Sequence, residues 1–264
     1  MKLLKHIVIA AFAMLFVIAC KKSEDKKNAN ADIEFNVISV TDGAANYTDD
    51  TTIYNAIKIN YIEAINNNQQ DAVVDNINKD FFTWLSSFLF SEEGYAVTKN
   101  NIKDAIASEI KRFIKDINED ESFTDCETCR QAEFSIDTCG LYQTDKIISI
   151  SYYYYTYSGG AHGLYGITTF NYNKQTTQPI TIDNLSTNIS ELTAIAEKAF
   201  IKQNGDIKKF WFEHEKFYLP NIFYFTEKGI VFYYSIYEIA SYAEGAITFE
   251  LDYNQVKNLT EYVK

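Results

Sequence analysis

Proline is nearly absent, at two residues in 264. Nothing therefore marks a proline-rich linker, and strands and helices can run long without a forced break. Basic residues are in deficit as well: 24 Lys and Arg stand against 36 Asp and Glu, a formal charge of −12. Such a surface repels nucleic acid and anionic lipid and favours cationic partners, so nucleic acid is not an expected partner. Motifs that carry chemistry are missing too. There is no nucleophile elbow, no glycine-rich phosphate loop, and no metalloprotease helix, because His214-Glu215 has no histidine four residues along. No cofactor is expected, and no internal repeat is present.

The first twenty residues read as an address. Lys2 and Lys5 precede an apolar run from Ile7 to Ile18, too short to span a bilayer comfortably, which ends in Val17-Ile18-Ala19-Cys20. A small residue before a cysteine at the end of such a run resembles a lipobox. The expectation is a signal peptide over 1–19, cleavage before Cys20 and acylation of its thiol, with the lipid bilayer as partner and an anchored location in the cell envelope, outside the cytoplasm. Cleavage leaves 22 basic residues against 36 acidic, a formal charge of −14. Residues 20–31 are polar and charged, which predicts a flexible tether.

What remains is aromatic. Twenty tyrosines and 19 phenylalanines point to β-rich packing. Three further cysteines, Cys126, Cys129 and Cys139, are compatible in an oxidising compartment with one disulfide and one thiol left over. They are also compatible with three ligands of a zinc site completed by His162 or His214, although the usual second pair at metal-ligand spacing is missing.

Alternation from Ile33 to Val40 predicts a half-buried strand with Ile33, Phe35 and Val37 on one side, closed by Asp42-Gly43. Ile53, Ile57, Tyr61, Ala64 and Ile65 fall at helical spacing. A second helix is expected from Val73 to Leu89, on a stripe that includes Ile77, Phe81, Trp84, Leu85 and Phe88. Thr98 is placed to cap a third, over Ile102 to Ile117. A strand over Ala132 to Asp137 follows. Later, Leu192 to Phe200 line a helix ending at Gly205, and Ile222–Thr226 and Ile230–Ile236 form a hairpin through Glu227-Lys228-Gly229. Ala246 to Asp252 reads as a strand, and Asp252 caps a last short helix. The fold class expected is α/β of the α+β kind, with helices packed on an antiparallel sheet. Its two parts are an N-terminal companion domain over 32–138 and a C-terminal domain over 139–264.

Function hangs on Ser158-Gly159-Gly160-Ala161-His162-Gly163. Three glycines in six residues permit a sharp reversal, here between the aromatic run Ile147–Tyr157 and a return strand Leu164–Tyr172. His162 reads either as a general base or ligand beside Glu238 or Glu244, or as a turn histidine that ties the loop to backbone carbonyls. A peptidoglycan-acting hydrolase and a purely structural envelope lipoprotein are the alternatives to a binding module.

The run Tyr153 to Gly163, then Thr181-Ile182-Asp183-Asn184-Leu185, then Phe225 to Phe232, then Tyr237-Glu238-Ile239-Ala240-Ser241-Tyr242-Ala243-Glu244-Gly245, is similar in order and spacing to one family. It resembles the extracytoplasmic domain of lysozyme-sensing anti-sigma factors of the RsiV type, domain of unknown function 3298. That module also occurs beside the catalytic domain of deacetylases of the PdaC type. Residues 33 to about 137 resemble more loosely its N-terminal companion, domain of unknown function 4163. The resemblance implies recognition of a lysozyme-like protein or peptidoglycan rather than catalysis. The family's lysozyme-contacting residues are not carried over to this chain; the ligand-binding candidates are residues of the two motif stretches themselves, Gly159, Gly160, His162, Gly163, Tyr237, Glu238, Tyr242 and Gly245. The chain shows neither an anti-sigma segment nor a deacetylase domain, so neither activity is carried over.

Overall fold

The structure is a computed structural model that describes residues 33–48, 51–65, 72–89, 96–119, 132–159 and 161–262. The expected signal peptide, Cys20, the tether, Gly160, Cys126 and Cys129 lie outside the described residues. Residues 32–264 form one compact unit.

Five strands build the first sheet: β1 (Glu34–Thr48), β2 (Thr51–Ile65), β3 (Ala132–Gln143), β4 (Ile147–Tyr157) and β5 (Leu164–Asn173), side by side in that order. Every pairing is antiparallel except that of β2 with β3, which is parallel, so the expected antiparallel sheet is in fact mixed. A parallel neighbour cannot be reached by a tight turn. The crossover is made by the helices α1 (Ala72–Leu89) and α2 (Ile102–Glu119), which place the helical layer on this sheet. Strand β3 pairs with β2 from Ala132 to Asp137 and with β4 on both sides of Cys139, where the register shifts between Thr138 and Gly140 and leaves Cys139 in a β-bulge.

Local expectations about this sheet are overturned as well. The segment around Ile53 to Ile65 is a strand, not a helix. Ile53, Ile57, Tyr61 and Ile65 are spaced by four, which also satisfies a period of two. The intervening Ile59 is completely buried, as a strand face requires and a helical stripe does not. Strand β1 likewise does not stop at Asp42-Gly43 but pairs with β2 out to Thr48. Its inward parity changes between Phe35 and Ile38, leaving Val37 79% exposed instead of in the core.

Helix α1 runs where its stripe predicts, with Phe81 and Leu85 at the centre of the first core and Trp84 and Phe88 half-buried beside them. Phe81 stacks on Tyr61 of β2 at 4.7 Å and meets Tyr152 of β4 at 4.9 Å. At the start of α2 the tie is made by Asn101 instead of Thr98: its side-chain oxygen accepts the Thr98 N–H at 2.6 Å, and its own carbonyl accepts from Ala105.

A second sheet follows, β6 (Ile222–Phe225), β7 (Gly229–Tyr234) and β8 (Ile247–Asp252), all antiparallel. Helix α3 (Ile189–Asn204) packs on it, started by Asn188, which accepts from the Glu191 N–H, and stopped at Gly205, whose φ of 95° suits glycine. Phe200 of α3 is fully buried among Phe212, Phe217, Tyr234 and Phe249. A short helix, α4 (Tyr253–Val256), closes the chain behind an Asp252 capping box, as expected.

The two sheets are joined by buried polar groups. Strand β6 is an edge, and its outward backbone finds partners on the first sheet. The Phe225 N–H donates to Ser149 Oγ at 3.0 Å, Ser149 Oγ donates to Asn171 Oδ1 at 2.6 Å, and Asn171 Nδ2 donates to the Phe223 carbonyl at 2.8 Å. Ser149 is 2% exposed and Asn171 5%, so water cannot replace either. Ser149→Ala should therefore strand the Phe225 N–H and lower unfolding stability by about 1–3 kcal/mol. Urea denaturation checks this, and an unchanged midpoint would remove the seam from the account.

Burial also sets an alkaline limit. The Tyr61 phenol is pushed up to about 12, by desolvation first and the Glu63 charge second. In the unfolded chain it ionises near the ordinary tyrosine value of 10.0. Its contribution to stability is thus complete below that value and is lost as pH climbs towards about 12. Melting temperature followed across that window should fall less steeply in Tyr61→Phe than in wild type.

Candidate functional site

The glycine turn joins β4 to β5, with Thr156 opposite Leu164, so the reversal is where the sequence places it. His162 lies in this connection, beyond the last paired residues of the two strands. His162 is exposed, and its ring lies flat on that of Tyr242, with centroids 3.8 Å apart and planes 20° from parallel. Its Nδ1 lies 3.2 Å from the Gly163 carbonyl and its Nε2 3.4 Å from the Tyr237 hydroxyl. A carbonyl only accepts, so Nδ1 carries the proton and Nε2 accepts from Tyr237. The Tyr242 hydroxyl donates to the same Gly163 carbonyl at 2.9 Å. Two segments some 75 residues apart in the chain are thereby tied at one histidine.

The second segment is shaped for this. Tyr237 has φ of 66°, left-handed backbone that a bulky residue seldom adopts, and its side chain is 49% exposed. Gly245 closes the short turn Tyr242–Glu244 with φ of 73°, and a β-carbon there would stand 3.1 Å from the Tyr165 hydroxyl. Gly163 is needed for space instead: a β-carbon would meet the Tyr155 ring at 2.5 Å.

Among the named candidates, His162, Gly163, Tyr237, Tyr242 and Gly245 come together around this contact. Gly159 stays in the turn, with φ of 87°. Glu238 faces another task. Its carboxylate accepts the Ser235 N–H at 2.8 Å and the Tyr218 hydroxyl at 3.2 Å; desolvation first, and the Glu238 charge and hydrogen bond second, push the Tyr218 phenol up to about 12. Glu244 is exposed. His162 thus meets two tyrosines where a general base would call for a carboxylate. Cys139, on β3, is a free cysteine whose thiol is pushed up to about 11, chiefly by desolvation.

Tyr153 and Tyr165 extend the cluster and were missed by motif reasoning. They lie on β4 and β5, stacked at 6.2 Å, and Tyr165 meets Tyr242 edge-on at 6.1 Å. Their signal was present in the aromatic runs flanking the glycines, but alternation alone does not say which tyrosines share the face of His162. The result is an exposed patch of π faces and hydroxyls. It can stack on planar groups, cover apolar surface and exchange hydrogen bonds.

By fold, this is an α+β module of two sheets, each with helices on it, whose loops meet in an aromatic cluster. Residues 180–254 match the model of DUF3298, a protein family of unknown function, and residues 47–165 match the model described as deacetylase PdaC. The segment that resembles the PdaC model thus precedes the one that resembles the DUF3298 model, with the glycine turn in the first and the Tyr237–Gly245 stretch in the second. A DUF3298-family crystal structure from Bacteroides fragilis is similar over 89% of this chain and 95% of its own, with a TM-score of 0.70 and 20% identity. One from Pseudomonas aeruginosa PAO1 is similar over 88% and 96%, with a TM-score of 0.58 and 13% identity. These likenesses establish the fold. No curated protein matches in sequence. Among the described residues, no helix is long and apolar enough to cross a membrane.

If the His162–Tyr242 stack ties the loops, it must be energetically coupled. A double-mutant cycle of His162→Ala and Tyr242→Ala, read by thermal unfolding, should give a coupling of about 0.5–1.5 kcal/mol. Strict additivity would mean that the rings merely touch.

Proposed function

We propose that the protein is a lipid-anchored component of the cell envelope whose module recognises a ligand without transforming it. The patch around His162, Tyr237 and Tyr242 is the contact surface in this reading, and a basic, lysozyme-like protein is the ligand. One observation carries it: the two segments that bear the family resemblance converge on an exposed tyrosine surface, with His162 engaged by Tyr237, Tyr242 and a backbone carbonyl. Aromatic side chains of this sort supply contact area at low entropic cost, as interface anchors do. The formal charge of −12 adds attraction for a cationic partner.

The test is a calorimetric titration of residues 32–264 with lysozyme, together with capture from envelope extract. Binding should weaken roughly 10- to 100-fold in Tyr237→Ala, the range of an interface anchor, while the fold persists. It should also weaken as salt rises, since steering by charge is screened. No binding of lysozyme at micromolar protein would remove that ligand. Capture of nothing from extract would remove the recognition reading itself.

A further inference from the structure

The stretch Thr181-Ile182-Asp183 belongs to the family resemblance but has no part in the His162 cluster. It forms one wall of a cleft of about 520 Å³ at the seam between the two sheets. Helix α1 supplies a second wall through Asp80, Thr83 and Trp84, and β5 a third through residues 169–172. Asn221 and Phe223, at the entry to β6, complete it. The volume falls in the ~300–1,000 Å³ range of small-molecule sites, which favour such junctions.

Its chemistry is specific. Trp84 and Phe170 are half-buried, edge to face with centroids 6.4 Å apart, and make an apolar wall. Asp80 accepts the Tyr172 hydroxyl at 2.8 Å, which fixes that carboxylate in place. Asn171 is spent on Ser149 and the Phe223 carbonyl, so it forms floor, not a ligand group. Asp183, Thr181 and Asn221 stand exposed at the rim. No Lys, Arg or His is among the described residues that line the cleft.

An anion, whether phosphate, nucleotide or acidic sugar, would find carboxylates and no counter-charge here. A purely apolar ligand would strip water from those carboxylates without replacing their hydrogen bonds. A sugar ring satisfies both walls: its C–H face covers an aromatic side chain while its hydroxyls donate to carboxylate and amide oxygens. We propose that this cleft binds a short neutral or amine-bearing saccharide. The proposal is independent of the loop surface and of the protein ligand assigned to it.

The chain has two tryptophans, Trp84 and Trp211. In the full chain carrying Trp211→Phe, emission therefore reports from the cleft wall alone. Oligomers of N-acetylglucosamine and of glucosamine should change Trp84 emission saturably, with Kd of about millimolar or tighter, and an oligogalacturonate should not. Asp183→Asn, at an exposed position, should weaken binding roughly tenfold, the worth of one charge-assisted hydrogen bond. His162→Ala should leave it unchanged. The proposal is overturned if neither amino-sugar oligomer gives saturation, or if the acidic oligomer binds equally. It is overturned too if Asp183→Asn binds as wild type does, or if His162→Ala abolishes the response.

Discussion

A buried edge strand is the constraint on which this molecule turns. Strand β6 ends its sheet, and its free N–H and C=O groups face protein where an edge strand usually faces water. Left unpaired, each such buried group would cost about 1–3 kcal/mol. Ser149 on β4 and Asn171 on β5 answer them, and so register the second sheet on the first. Both residues are small and polar, and Ser149 sits in a strand otherwise given to isoleucine and tyrosine. No apolar residue could make the connection.

This registration places both surfaces of interest. Because β4 and β5 are held against β6, the turn that joins them stands within reach of the loop that follows β7, and His162 meets Tyr237 and Tyr242. The cleft beside Trp84 opens at the same seam, floored by Asn171 and Phe223. The segments that match separate family models, 47–165 and 180–254, each supply part of the loop cluster and part of the cleft.

Much of the architecture was legible in the chain. Helices α1 and α3, the glycine turn, the β6–β7 hairpin and the Asp252 cap each rest on local physics: a periodic stripe, a cap, or a residue that tolerates positive φ. The misreading of β2 shows the limit of such signals. Apolar residues spaced by four are consistent with a helix and with every second position of one strand face, and only pairing with β1 and β3 decided between them. The site was half legible. Glycines and a histidine marked the turn, and the stretch Tyr237 to Gly245 was singled out, but the partners that the sequence offered His162 were the carboxylates Glu238 and Glu244 or backbone carbonyls, and nothing paired it with Tyr237 and Tyr242. Spacing along a chain carries no information about which side chain faces which across a fold.

By itself, then, the sequence determined the local pieces: where the chain turns, which helices have an apolar face, that the surface is acidic and rich in aromatic residues, and which segments carry the family resemblance. Their meaning was decided in three dimensions. The parallel pairing of β2 with β3, the loan of Ser149 and Asn171 to a neighbouring sheet, and the stacking of His162 on Tyr242 are all contacts between residues far apart in the chain. Such contacts form only because burying two aromatic cores brings the sheets together, and hydrogen bonds at the seam then allow a single register.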